Sequence, residues 1–421
     1  MVRRWDPASG RVEGIPNGNP CSQARPAGPP QPWRRRRAAL RLANGNFAVF
    51  IRSLLWLKKS VKTPPLMSLG IMALAAGLAS PLAAGSTFAV KANDPAVVYE
   101  GRYATDAAGG VRLGFPGVTA HLRFRGTALA MRVRASQADT YFDVGIDGAT
   151  PTPLRLHAGE GDYPVVLPAA AVEHTVVLTR RNESWQGTCD LLGFDLGGGE
   201  LLAPPELPAR KLMFIGDSVT CGEMTAYDAS RAMTDKRNCN ARVSYGMLLA
   251  TRLGAQCHLV SYGGRGVIRD WQGIRDTANA PQFYELALPD DPAVRWDHRR
   301  YVPDAVGIQL GTNDFNLGVP DQVEFVNTYV QLIQEIRRNA PEAVIVVMDS
   351  PIVNDEPVKG PRRTVLHFYL EQVVARVGSP KVLLAPLKHY PGVPGNGHPT
   401  GAEHVAMADE LELAFRKALG W

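Results

Sequence analysis

Four short stretches carry residue types that can do chemistry together, and the first is Lys211-Leu-Met-Phe-Ile-Gly-Asp-Ser-Val-Thr220. The apolar run Leu212 to Ile215 reads as a short buried strand, and Gly216-Asp217-Ser218 as the turn that ends it. In an open α/β sheet, ligands gather outside the carboxyl ends of the strands. A helix starting at this turn would hold the Ser218 hydroxyl in a positive field that favours an alkoxide. Ser218 is therefore the first candidate nucleophile, and Asp217 beside it a candidate to line a substrate. The same tripeptide also reads as an Asx-turn that only caps a helix, a common use of Asp and Ser.

The other three stretches supply what such a nucleophile lacks. Ser261-Tyr-Gly-Gly-Arg-Gly266 has glycines that let the backbone approach a ligand and turn an amide inward, so Gly264 is a candidate oxyanion donor. Gly311-Thr-Asn-Asp314 offers Asn313, whose neutral NH₂ suits the same task, with Asp314 next to it as a second lining candidate. Each has a plain structural reading too, as a glycine turn and as a turn Asn bonded to its own backbone. In Asn396-Gly-His-Pro-Thr-Gly-Ala-Glu-His404, Thr400 followed by Glu403 is a capping box that starts a helix. His398 then falls on the loop before that helix and is the candidate general base, while His404 falls within the first turns and is expected to be structural. Trp271 follows the glycine loop closely enough to line a site, or to belong to the core.

These residues need a scaffold, and residues 209–421 read as one. Strand candidates Leu212–Ile215, His258–Val260, Ala305–Leu310, Ala343–Met348 and Val382–Leu384 alternate with helices expected over Ser244–Leu253, Gln322–Asn339, Arg363–Val377 and Gly401–Leu419. That alternation predicts an α/β fold with a parallel sheet. Residues 93–208 read differently. Short alternating runs, among them Leu122–Phe124, Ala128–Arg134, Tyr141–Ile146, Tyr163–Leu167, His174–Thr179 and Leu191–Leu196, are separated by turns such as Asp147-Gly148. They predict an antiparallel β-sandwich, with Trp185 either stacking on a sugar or packing.

Residues 1–92 hold 14 Lys and Arg against Asp6 and Glu13, while the rest of the 421-residue chain carries 32 basic and 38 acidic groups. The net charge of +6 therefore belongs to the amino-terminal segment, and the folded part offers no basic surface for nucleic acid. Residues 1–52, rich in Pro, Gly and Arg, are expected to be disordered or to stem from a start codon assigned too far upstream. From about residue 53, Lys58, Lys59 and Lys62 precede the apolar run Leu66–Leu82, the pattern of an export signal, with Thr87-Phe-Ala89 or Val90-Lys-Ala92 suited to cleavage. Gly70, Gly77 and Pro81 leave that run shorter than the ~20 apolar residues a membrane span needs, so no stable membrane insertion is expected. A secreted or periplasmic protein would permit a disulfide, and Cys221 with Cys239 flanks a loop it could close, free thiols being the alternative. No spacing suggests a metal.

The order Gly-Asp-Ser, glycine loop, Gly-Thr-Asn-Asp and late His resembles the SGNH hydrolase superfamily over the whole of residues 209–421. A β-sandwich placed before such a domain resembles carbohydrate esterase family 2, exported deacetylases of acetylated plant polysaccharides. The resemblance implies a jelly-roll sandwich on a flavodoxin-like sheet, with Ser218 as nucleophile, Gly264 and Asn313 joining the Ser218 amide as oxyanion hole, His398 as base, and no cofactor. One departure stands out: the Asp that many such enzymes place three residues before the His is Gly395 here, followed by Asn396. No carboxylate is available locally; members that work with a Ser-His dyad hold the His by a main-chain carbonyl, and that is expected here, with Asp355 or Glu356, from another loop, as the alternative. The reading is an exported serine esterase that removes O-acetyl groups from xylan, glucomannan or similar chains, acting as a monomer. Its rivals are a lipase or thioesterase on the same scaffold and a carbohydrate-binding protein that has lost catalysis.

Overall fold

The computed structural model describes residues 90–169 and 171–421, together with an antiparallel pair of two-residue strands, Arg4–Trp5 and Val12–Glu13. The segment read as an export signal lies outside the described residues except at Val90 to Ala92.

Five parallel strands organise the second half: β1 (Arg210–Gly216), β2 (Ala255–Ser261), β3 (Ala305–Gln309), β4 (Val344–Met348) and β5 (Val382–Ala385). Their spatial order is β2-β1-β3-β4-β5, which is the flavodoxin-like order. Both faces of the sheet are covered, so the strands are apolar along their length rather than alternating. Helices Tyr245–Arg252 and Gly401–Leu419 bury Tyr245, Leu249, Met407, Leu411 and Phe415 against Leu212 and Phe214 on one face. Helices Gln322–Asn339 and Arg362–Val377 cover the other with Phe325, Tyr329, Leu366 and Leu370. The chain reverses direction across the sheet between β1 and β3, which opens a crevice where the Ser218 and Asn313 turns emerge side by side.

The first half is a sandwich of two antiparallel sheets. One runs Thr152–Leu156, Thr140–Ile146, Glu173–Arg180, Thr119–Arg125, Glu200–Leu201, with Val98–Glu100 also pairing Thr119–Arg125. The other runs Gly159–Val165, Leu129–Ala135, Cys189–Asp195, Val111–Leu113, Tyr103–Thr105, with Val90–Lys91 pairing Cys189–Asp195. Along Leu129–Ala135 the odd-numbered residues are buried and the even-numbered ones face out, as a half-buried strand requires. The strands of two to five residues, such as Tyr103–Thr105, carry too few side chains to announce an alternation.

Sandwich and sheet share one apolar core, which continues from Phe115 and Phe194 through Tyr262, Phe283 and Trp296 to Ile215 and Ile308. A polar clamp reinforces the join. Asp143, 1% exposed in the sandwich, accepts from Arg181 at 2.9 Å, and from Arg242 at 2.6 Å and Asn240 at 3.0 Å in the hydrolase half.

Candidate active site

At the carboxyl end of β1, Asp217 caps a four-residue helix, Ser218–Cys221, and its carboxylate accepts the Val219 amide at 3.1 Å. Ser218 is the first residue of that helix and only 6% exposed. The helix ends at once on Gly222, φ +85°, a left-handed conformation in which a Cβ would also lie 2.7 Å from the Asn240 carbonyl. This closure fixes the next residue as well, because Glu223 N–H donates to the Ser218 carbonyl at 3.0 Å.

His398 reaches the same place from the loop before the last helix. The Thr400–Glu403 capping box forms, and the Glu403 carboxylate also accepts the Gly392 amide at 3.1 Å, tying the loop to its helix. The turn at 393–398 needs glycines, with φ +80° at Gly395 and +84° at Gly397. It delivers Nε2 of His398 to 2.7 Å from Ser218 Oγ. On the far side of the ring, Nδ1 lies 2.6 Å from Asn396 Oδ1, which also accepts the His398 backbone N–H at 3.1 Å. A backbone N–H can only donate, so the amide oxygen faces the ring and Nδ1 carries the hydrogen. Nε2 is thereby left as the acceptor for the serine proton. The expected main-chain carbonyl is thus replaced by the Asn396 side chain. Asp355 and Glu356 play no part here: Asp355 accepts from the Thr364 amide at 3.0 Å, and Glu356 pairs with Arg362 at 2.8 Å.

After β2, Gly264 adopts φ +80° and packs so closely on Trp271 that a Cβ would lie 2.8 Å from its ring. After β3, Asn313 lies 7% exposed, with Nδ2 donating to the Arg265 carbonyl at 2.8 Å and its second N–H free to serve a ligand. Ser218, Gly264, Asn313, Trp271 and His398 all line one cleft of about 660 Å³, a size suited to a small-molecule or sugar ligand. Two of the expected lining residues do not reach it. Asp217 is fully buried as the helix cap. Asp314, also fully buried, takes the amides of Val267, Ile268 and Arg269 at 2.9, 2.8 and 3.3 Å and so braces the glycine loop from behind. Burial pushes each of these carboxyls up to about 6.

The disulfide considered between Cys221 and Cys239 does not form. Both are buried free thiols with other partners: Cys221 Sγ donates to Ser261 Oγ at 3.3 Å, and Cys239 Sγ accepts from Gln186 Nε2 at 3.6 Å. His404 is buried and its Nδ1 accepts the Tyr245 amide at 3.0 Å; burial brings it down to about 3, so it stays neutral.

Two more residues line the cleft, and of these only Glu223 has no signal in the local sequence. Trp185, which the sequence left between stacking on a sugar and packing, is 50% exposed and lines the cleft from the sandwich loop. Arg180 shapes that loop, its guanidinium donating to the carbonyls of Asn182, Glu183 and Gly187, and Ser184 Oγ ties it to the Ser261 carbonyl at 2.7 Å. Glu223 is the other, with Oε2 3.3 Å from His398 Nε2. Burial lowers the His398 imidazole below its ordinary range, and the Glu223 charge acts against that.

An array of serine, imidazole and convergent donors at strand ends can carry out acyl transfer, and comparison with known proteins agrees. A family model described as carbohydrate esterase 2 N-terminal matches residues 99–205, and one for the GDSL-like lipase/acylhydrolase family matches residues 214–407. An acetylxylan esterase / glucomannan deacetylase of Cellvibrio japonicus is 37% identical over 340 residues, which cover 80% of this chain and 92% of that protein. The solved structure of a family two carbohydrate esterase from Cellvibrio japonicus matches with a TM-score of 0.75 and 36% identity, over 79% of this chain and 98% of that one. A family two carbohydrate esterase from Clostridium thermocellum, solved in complex with cellohexaose, gives 0.71 and 32%, over 77% and 99%. Matched in both halves, in order, and along nearly the full length of such relatives, the chain belongs to the family 2 carbohydrate esterases and is a carboxylic ester hydrolase.

Proposed function

We propose that the protein removes O-acetyl groups from a plant-type polysaccharide, xylan or glucomannan, through a Ser218–His398 dyad. The observation that carries this reading is the 2.7 Å contact between Ser218 Oγ and His398 Nε2, with Asn396 holding Nδ1. Ser218 Oγ attacks the acetyl carbonyl carbon while Nε2 accepts its proton, and the carbonyl electrons move onto oxygen. The backbone amides of Ser218 and Gly264 and the free N–H of Asn313 receive that oxyanion. Collapse of the tetrahedral species expels the sugar oxygen, which takes the proton from His398. Water then repeats the sequence and releases acetate.

Support for a sugar comes from the cleft walls. Trp185 and Trp271, both about half exposed, offer flat apolar faces among the polar side chains of Glu223, Arg265, Asp270, Gln272 and Asn316. The matched Cellvibrio relative is named for acetylxylan and glucomannan, and the Clostridium structure holds cellohexaose. A lipase would call for an apolar acyl channel, and these walls do not resemble one. Acetate release from acetylated glucomannan and xylan, measured beside hydrolysis of acetyl and octanoyl aryl esters, tests the reading. The expected result is release that falls about a thousandfold or more in Ser218→Ala, and a strong preference for acetyl. Preference for octanoyl esters with inert polymers would replace this reading by the lipase one.

We also infer export, from the basic flank and apolar run ahead of residue 90. Val90–Lys91 is a strand of the sandwich, pairing Phe194 and Gly193, and Ala92 is fully buried. Cleavage after Ala89 keeps that strand where cleavage after Ala92 removes it, so sequencing the exported protein should find Val90 at its start.

A further inference from the structure

The sandwich sends a carboxyl to the edge of the active site. Glu183 is fully buried in the loop shaped by Arg180, and its Oε2 accepts the Trp185 indole N–H at 3.0 Å. It packs against the backbone of the glycine loop, where a Cβ on Gly263 would lie 1.8 Å from Oε2. Its buried Oε1 has no hydrogen-bond partner, and the Glu223 carboxyl acts on it from nearby. Two ionised carboxylates side by side repel, so the pair favours a single negative charge. Burial first, and then the neighbouring Glu223, push Glu183 well above the usual carboxylate range, which favours its protonated form.

Glu223 in turn stands 3.3 Å from the reacting nitrogen of His398. On the opposite side of the ring the orienting group is the uncharged Asn396 amide, which fixes the tautomer but cannot balance a positive charge. We propose that Glu223, held by Glu183 of the sandwich, is the positioning residue that supplies the missing negative charge, stabilising the His398 imidazolium once Nε2 has taken the Ser218 proton. A carboxylate facing the lone pair of neutral Nε2 is unfavourable, and protonation turns the contact into an ion pair. Both effects raise the strength of the base. The inference rests on the dyad reading above, and it makes the sandwich a contributor to the chemistry.

The other ionisable groups around the ring do not supply this charge. His404, behind it, is held neutral. Asp217 is turned away into its helix cap, Cys221 and Cys239 are pushed up by burial and remain thiols, and Arg265 pairs with Asp270 of the same loop at 3.4 Å.

The test uses 4-nitrophenyl acetate, which has no sugar hydroxyls for Glu223 to bind, with the full chain and its Glu223→Gln, Glu183→Ala and Glu183→Gln variants. Glu223→Gln should lower kcat about tenfold. It should also move the acid limb of the pH profile down by about one pH unit, because loss of the anion makes the imidazolium less stable. Nitrogen-15 NMR of the His398 ring should follow the same shift and confirm that each variant is folded. Glu183→Ala should lose activity, and Glu183→Gln should recover most of it, since the amide can accept from Trp185 and donate toward Glu223, as a protonated acid can. An unchanged acid limb and kcat in Glu223→Gln, or a rise in KM on sugar esters alone, would overturn the proposal while leaving the esterase intact. Failure of the wild type to hydrolyse the ester would instead sink the dyad reading itself.

Discussion

Asn396 is the residue on which the electrostatics of the site turn. Its amide oxygen takes both the Nδ1 hydrogen of His398 and the backbone N–H, so the ring is aimed at Ser218 without a carboxylate. Burial lowers the His398 imidazole, and catalysis needs it neutral, so activity should persist as pH falls and be lost only below about 6.5, the ordinary histidine value. Asn396→Asp adds a charge that favours the imidazolium, which raises the histidine and moves the acid limb of kcat/KM to higher pH. Asn396→Ala frees the ring and should lower kcat by about ten- to a hundredfold. An acid limb that stays put in Asn396→Asp would contradict this geometry. That Ser218, Gly264, Asn313 and His398 share one cleft was legible in the sequence because each lies on a turn that closes a strand or opens a helix. The role of Asn396 was not, since it depends on the left-handed glycines at 395 and 397, which decide whether a side chain or a main-chain carbonyl meets Nδ1.

At the scale of elements, the glycine loop after β2 holds its shape through Asp314. That carboxylate gathers three successive amides, and the Asp314 carbonyl accepts the Arg269 guanidinium, so the loop that presents Gly264 and Trp271 is braced from the strand end opposite. Asp314→Ala leaves those buried amides unpaired and should cost about 2 to 4 kcal/mol in urea unfolding, with loss of activity even where the fold survives. Stability equal to wild type would show that water replaces the carboxylate and that the brace is dispensable. The sequence placed Asp314 in the right turn but on the wrong side of it, because adjacent residues in a turn point in opposite directions and no local pattern says which faces the cleft. The long helices and five parallel strands were legible to within a few residues. Their apolar periods and caps, such as Thr400 with Glu403, are written locally.

For the whole molecule, the join between sandwich and sheet is part of the active site. Trp185 lines the cleft, with Glu183 buried behind it, because the sandwich is locked in place by the shared core and by Asp143. Removing one partner from a buried charge cluster is costly, so Asp143→Ala should destabilise the protein by about 3 to 5 kcal/mol. It should also depress hydrolysis of even a small ester. A variant that unfolds like wild type would mean that the apolar core alone fixes the join. Nothing in the sequence announced this coupling, since Asp143, Arg181 and Arg242 are distant along the chain and ordinary in type. The same holds for Glu183 and Glu223, which meet only once the two halves are packed.

The claim on which the rest depends is that Ser218 is a nucleophile activated by His398, and a fluorophosphonate probe tests it most directly. The account predicts one phosphonyl group, located on the Ser218 peptide by mass spectrometry, with esterase activity lost in step. No labelling is expected in Ser218→Ala, and much slower labelling in His398→Ala. Labelling of a different residue, or full activity after Ser218 is modified, would contradict it.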